Sequence, residues 1–190
     1  MAETIFTYAA PSLKFGRGAS HELAHDLTGL GATRVLLVTD AGVAATGHPA
    51  RIAEQLRQAG LQVEVYDQAH VEPTDVSLEH AVAYARGLGG IDGVLAVGGG
   101  SSIDTAKAIA LMSTNDGDLA DYLNAPIGKG RAPAKPLLPL VAVPTTTGTG
   151  AESTTVCVLD VLALKVKTGI SHPALRPKLA VVDPDLTTRM

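Results

Sequence analysis

At 190 residues, with 46% hydrophobic and 18% charged side chains, the chain is long enough to bury a sizeable core and too apolar to be disordered. Its mild formal net charge of −4 argues against nucleic-acid and anionic-membrane partners. A single cysteine, Cys157 in the apolar run VCVL, excludes an intrachain disulfide and reads as a buried, inert thiol. The first twenty residues show neither a secretory pattern nor a twenty-residue apolar span, so the default expectation is a cytoplasmic protein with no membrane partner.

In chain order, residues 4–8 (TIFTY) read as a first strand and Phe15-Gly16-Arg17-Gly18 as a turn. Ser20 is expected to cap a helix that runs to about Leu27. RVLLV at 34–38 is a buried strand ending at Thr39-Asp40, followed by a helix near 49–59, a strand at 62–66 and a helix over about 75–87. A strand at 93–97 then leads into Gly98-Gly99-Gly100 and a helix over about 102–112. A loop-rich connection follows, with a short helix at 119–123; within it PIGKGRAPAKP at 126–136 carries Lys129, Arg131 and Lys135 and reads as a surface loop. LPLVAV at 138–143 resumes the sheet up to Pro144 and the loop TTTGTG at 145–150. Strands at 154–159, 164–170 and 179–182 complete the chain. Short apolar strands alternating with helices predict an α/β fold, an open Rossmann-like parallel sheet flanked by helices, as one domain across 1–190.

A strand that ends in glycines and leads into a helix aims backbone N–H groups and the positive end of the helix dipole at one point, where an anion is stabilised. Gly98, Gly99 and Gly100 meet that requirement, and the same residues also suit a plain tight turn. Ser101 and Asp104 have the spacing of a capping box, which accounts for them without a ligand. The standard dinucleotide pattern G-x-G-x-x-G fails because Ile103 stands where its third glycine belongs, and no Gly-Lys-Ser/Thr follows to make a P-loop. Asp40 precedes the run by about 58 residues, so it is either a ribose acceptor in an unusual strand order or the cap of a helix starting at Ala41. The loop at 145–150 is of the same kind as the glycine run, and two such loops after buried strands are placed to line one crevice.

His21-Glu22-Leu23-Ala24-His25 is a literal H-E-x-x-H, the zinc metallopeptidase pattern. It occupies the first turn of its helix, with no third ligand in a recognisable arrangement, and a surface helix bearing two incidental histidines is the favoured reading.

Taken together, GGGSSIDTAKAIAL at 98–111, PTTTGTGAEST at 144–154, LAVVDPDLT at 179–187, FGRGA near the start and VTD at 38–40 resemble the iron-containing alcohol dehydrogenase family. YLNAPIGKG at 122–130 and LKVKTGIS at 164–171 are similar to its hydroxyacid-oxoacid transhydrogenase branch. The resemblance implies a dehydroquinate synthase-like N-terminal domain that binds NAD(P). Gly98, Gly99, Gly100 and Ser101 would contact phosphate, Asp104 would lie toward the nicotinamide, and Thr145, Thr146 and Thr149 would flank the adenosine and phosphates. Lys167, or Lys165 in a shifted register, would reach a ribose hydroxyl, while Asp40 would favour NAD over NADP by repelling a 2′-phosphate.

The family's helical domain, with its Asp and three His ligands for Fe²⁺ or Zn²⁺, has no counterpart before Met190; residues 184–190 read as the start of a linker to it. The expectation is therefore an NAD-dependent oxidoreductase of alcohols or 2-hydroxy acids whose 190-residue chain holds cofactor but no metal and is inactive alone. A non-catalytic nucleotide-binding module is the alternative, and a homodimer through the N-terminal strand is implied by the resemblance.

Overall fold

A computed structural model of the chain describes residues 9–188. The strand expected at 4–8 lies outside the described residues. Eight strands are present among them: β1 Ser12–Phe15, β2 Arg34–Val38, β3 Gln62–Tyr66, β4 Gly93–Gly98, β5 Leu140–Pro144, β6 Val156–Val161, β7 Val166–Ser171 and β8 Leu179–Val182. Six form one sheet in the order β1-β8-β5-β4-β2-β3, every pair parallel, while β6 and β7 make a separate antiparallel hairpin. The expected Rossmann-like α/β sheet is thus observed.

The central strands are buried on both faces, as a parallel sheet covered by crossover helices requires. Val35, Leu37, Leu95, Val97, Val141 and Val143 point to the layer that holds Leu23 and Leu27 of α1 (Leu23–Gly29). Between α1 and the next long helix comes the four-residue α2 (Ala41–Ala44). Ile52 and Leu56 of α3 (His48–Gln58) complete that layer, which also buries Leu186 from within the segment read as a linker. Leu36, Val38, Val94, Ala96 and Ala142 face the opposite layer, built by α4 (Asp75–Leu88) and α5 (Gly100–Met112). Helix α5 is apolar nearly all round because the sheet, α4 and the β6–β7 hairpin enclose it, and every residue from Ser102 to Met112 is buried. The short α6 (Leu119–Tyr122) packs Leu119 and Tyr122 into the same layer.

Several boundaries differ from the sequence reading for local reasons. Strand β1 lies partly in what reads as a turn, and it pairs with β8 although Leu13 and Phe15 are exposed. Strand β5 begins at Leu140 because Pro139 has no N–H; its carbonyl accepts from Val94 at 2.9 Å. Strand β6 begins at Val156, after Ser153 and Thr154 donate back to the Gly150 carbonyl and close a turn. Ser20 caps nothing. A 3-10 turn over Ala19–Glu22 precedes α1, with left-handed Gly18 at its N-cap, and its free N–H groups are satisfied by Asp183, which accepts from Gly18 at 3.0 Å and Ser20 at 3.1 Å.

The chain runs from β2 outward to β3, then returns past β2 to β4 and continues away to β5 and β8. The carboxyl ends of β2 and β4 therefore flank the point where strand order reverses, the place where open α/β sheets leave a crevice.

Candidate functional site

Strand β4 ends at Gly98, Gly99 occupies the N-cap of α5 without any side-chain cap, and the helix starts at Gly100. The first-turn N–H groups of α5 thus open at the carboxyl edge of the sheet beside the adjoining end of β5, where Thr145 donates to the Gly98 carbonyl at 3.0 Å. The glycines are needed for that closeness. A Cβ on Gly98 would stand 2.6 Å from Ser102 Cβ, one on Gly99 3.3 Å from Thr146 Oγ1, and one on Gly100 3.3 Å from Thr149 Cβ. The two loops close on each other, as their shared type suggests.

The capping box expected of Ser101 and Asp104 is absent. Ser101 Oγ accepts from the amide of Glu72 at 3.1 Å, tying the loop after β3 to the glycine helix, and Glu72 is held at φ 56° in the left-handed region. Asp104 is turned inward, 8% exposed. Its Oδ1 accepts from Lys107 Nζ at 3.1 Å and its Oδ2 from the Val158 amide at 3.1 Å, so both oxygens are engaged by the protein. Burial raises its pKa, against the pull of Lys107.

Asp40 is the cap that its position allowed, and it also reaches the glycine helix. It is the N-cap of α2, with Oδ1 accepting from Val43 at 3.0 Å, while Oδ2 accepts from Ser102 Oγ at 2.8 Å across to the glycine helix. Beside it opens a cleft of about 330 Å³ lined by Val43, Thr46, His48, Thr145, Thr146 and Leu186. Thr146 Oγ1 is buried there with no hydrogen-bond partner among the described residues. Thr149 packs over Gly100 and accepts from Ala151 at 3.3 Å.

On the other side of the glycine loop a second recess of about 180 Å³ is lined by Glu72, Gly100, Ser101, Asp104, Asp160 and Lys167. Lys167, in register with Asp160, holds its Nζ 3.8 Å from Asp160 Oδ2 and 3.9 Å from Glu72 Oε1. Lys165 instead occupies the hairpin turn at φ 53°, outside this recess. Sequence reasoning missed Ser102, Thr46, His48 and Lys107. Only Lys107 carried a signal: a lysine three residues after an aspartate on an otherwise apolar helix.

The H-E-x-x-H residues do not assemble. His21 lies in the 3-10 turn and His25 in α1, while Glu22 pairs with Lys14 at 2.7 Å, and that hydrogen bond lowers its pKa. No three His, Cys, Asp or Glu side chains come together as a metal site among the described residues. Cys157 is fully buried, and burial pushes its thiol far above the ordinary range. Lys129 and Lys135 are paired with Asp121 and Asp116, outside both recesses. No described helix is long and apolar enough to cross a membrane.

The iron-containing alcohol dehydrogenase family model matches residues 10–184. The mitochondrial hydroxyacid-oxoacid transhydrogenase of Bos taurus is 45% identical over 97% of the chain and 40% of its own length. Among solved structures, a 1,3-propanediol oxidoreductase is 33% identical with a TM-score of 0.88, over 98% of this chain and 47% of that one. Sulfoacetaldehyde reductase from Bifidobacterium kashiwanohense, in complex with NAD+, is 30% identical with a TM-score of 0.88, over 98% and 48%. The chain therefore spans about 40% of the length of the curated relatives it matches. The cytoplasmic expectation does not stand: transhydrogenases 42–45% identical to the chain are mitochondrial, and nothing in the fold or the cleft encodes a compartment. With its parallel sheet, its glycine-run helix and the transhydrogenase branch among its relatives, the chain belongs to the iron-containing alcohol dehydrogenase family.

Proposed function

We propose that this chain is the NAD-binding part of a metal-dependent oxidoreductase, and that the whole protein transfers hydride between NAD and an alcohol or 2-hydroxy acid. One observation carries the reading. At the strand-order reversal, an acceptor for a ribose diol (Asp40) and a set of first-turn N–H donors for a diphosphate (Gly99 to Ser101) are held on adjacent strands and joined through Ser102. The Thr146 hydroxyl, unpartnered among the described residues, and the close walls around Gly98, Gly99 and Gly100, where a Cβ would collide at Gly98 and be tight at the other two, fit the same ligand.

In this reading the adenosine enters the cleft beside Asp40, and a 2′-phosphate there would meet the carboxylate, favouring NAD over NADP. The diphosphate lies over Gly98, Gly99, Gly100 and Ser101, with Thr145, Thr146 and Thr149 alongside. The far ribose extends toward the recess where Lys167 stands. When bound, the nicotinamide supplies the hydride acceptor; the chain's own groups bind, orient and shield it. The related reductase solved with NAD+ supports this cofactor, and the transhydrogenase names support a hydroxy-acid substrate. Hydride transfer is assigned to the whole protein, because the chain spans about 40% of the length of the curated relatives it matches.

Calorimetric titration with NAD and NADP tests the reading. NAD binds, and more tightly than NADP; absence of binding, or tighter NADP, overturns it.

A further inference from the structure

We infer that Lys107 is a positioning residue for the cofactor: with Asp104 it forms a buried charged clamp that fixes the β6–β7 hairpin, and hence Lys167, against the glycine helix. The inference rests on the NAD-binding reading above.

Lys107 is 0% exposed, in the middle of α5. A buried ammonium is tolerated only when its three N–H bonds find acceptors. They find Asp104 Oδ1 at 3.1 Å, Thr154 Oγ1 at 2.9 Å and the Val156 carbonyl at 2.6 Å. One acceptor lies on the glycine helix and the other two lie where the hairpin begins. Asp104 continues the link through the Val158 amide at 3.1 Å, and its backbone carbonyl accepts from Cys157 Sγ at 3.2 Å. Four consecutive-to-near residues of the hairpin arm, Thr154, Val156, Cys157 and Val158, are thereby bonded to one turn of α5.

The hairpin register transmits this fixation. Val158 opposes Gly169 and Asp160 opposes Lys167, so the strand that the clamp holds is the one that sets Lys167. Pairing is tight at the clamp: a Cβ on Gly169 would stand 2.8 Å from the Cys157 carbonyl. The hairpin's further ties near Lys167 do not reach the glycine helix: the Asp160 amide donates to the Pro73 carbonyl at 2.8 Å in the loop after β3, and Asn124 donates its amide to the Gly169 carbonyl at 2.9 Å and accepts from the Ser171 amide at 3.1 Å. Lys107 does not line the recess that Lys167 faces, so it acts through the hairpin and not on the cofactor. The cleft beside Asp40, on the other side of the glycine loop, contains none of these residues.

This arrangement separates the two halves of the dinucleotide. Lys107→Met keeps the length of the side chain and removes its charge; Thr154→Val removes one acceptor with little change of volume and serves if Lys107→Met does not fold. Each is titrated with NAD and with AMP, alone and combined with Lys167→Ala. The expected result is NAD affinity lowered about tenfold by Lys107→Met and a few-fold by Thr154→Val, with AMP affinity unchanged. Adding either to Lys167→Ala costs no further NAD affinity, because the clamp acts through that lysine. Unchanged NAD affinity, equal losses for NAD and AMP, or losses that add to those of Lys167→Ala overturn the clamp while NAD binding by the parent chain leaves the cofactor reading in place. A parent chain that does not bind NAD overturns both.

Discussion

Ser102 donates its hydroxyl to Asp40 at 2.8 Å, so the carboxylate that closes β2 is bonded directly to the helix that the glycine run opens. The second oxygen of Asp40 is occupied by the Val43 amide at 3.0 Å, which fixes the carboxylate plane at the mouth of the cleft. In the NAD-binding reading this carboxylate discriminates by charge as well as by hydrogen bonding. Replacing it with Gly removes the repulsion of a 2′-phosphate and the acceptor for a ribose diol together. Asp40→Gly is expected to shift the NADP-to-NAD affinity ratio toward NADP by about tenfold or more, read by calorimetry, with a small loss of stability from the uncapped α2.

Thr146 tests the cleft from the opposite direction. Its Oγ1 is buried without a partner among the described residues, so in the NAD-binding reading the hydroxyl costs the free protein and serves the bound cofactor. Thr146→Val keeps the shape and deletes the hydroxyl. Denaturant unfolding is expected to show stability unchanged or raised by up to about 1 kcal/mol, while NAD affinity falls about fivefold. A loss of stability with no change in NAD affinity would show that the hydroxyl serves the fold.

Asp183 gives the fold a definable acid sensitivity. Although burial alone would raise its pKa, hydrogen bonds from Ser20, Asp185 and Gly18 outweigh burial and hold it below the usual carboxylate value. A carboxylate with a depressed folded-state pKa contributes stability above its unfolded value and loses it as pH falls through the folded one. Asp183→Asn is therefore expected to cost about 2 kcal/mol near neutrality. The gap to the parent chain, followed by urea unfolding, should narrow as pH falls through and below the ordinary carboxylate range. A gap that stays constant over that range would contradict the assignment.

Much of this arrangement is legible in the sequence because it depends on local pattern. Short apolar runs such as RVLLV and VLAV, bounded by turn signals, read as strands buried on both faces, and Gly98 to Gly100 between such a strand and a helix mark the edge of a crevice. Asp40 is also legible as a cap, since its neighbours begin a helix. What sequence spacing misassigned is side-chain direction. Ser101 and Asp104 have capping-box spacing, but three glycines let the chain enter α5 two residues early. The N-cap thus falls on Gly99, which frees Ser101 for Glu72 and turns Asp104 toward the hairpin. The contribution of Asp183 to the start of α1 was hidden for another reason: the two segments are 163 residues apart, and only the β1–β8 pairing brings them together. Lys107 stands three residues after Asp104, but that spacing does not show that it is buried. Its burial follows from the hairpin folding over α5, which no periodicity within α5 reports.

The most direct test of the central claim is hydrogen–deuterium exchange of the protein with and without saturating NAD. Protection is expected in peptides covering residues 40–43, 98–104 and 145–149, where the carboxylate, the helix N-terminus and the threonine loop meet. Peptides covering 113–119, at the far end of α5, should be unchanged. Protection confined to that far end, or none at the glycine run, would contradict the assignment of this cleft to the cofactor.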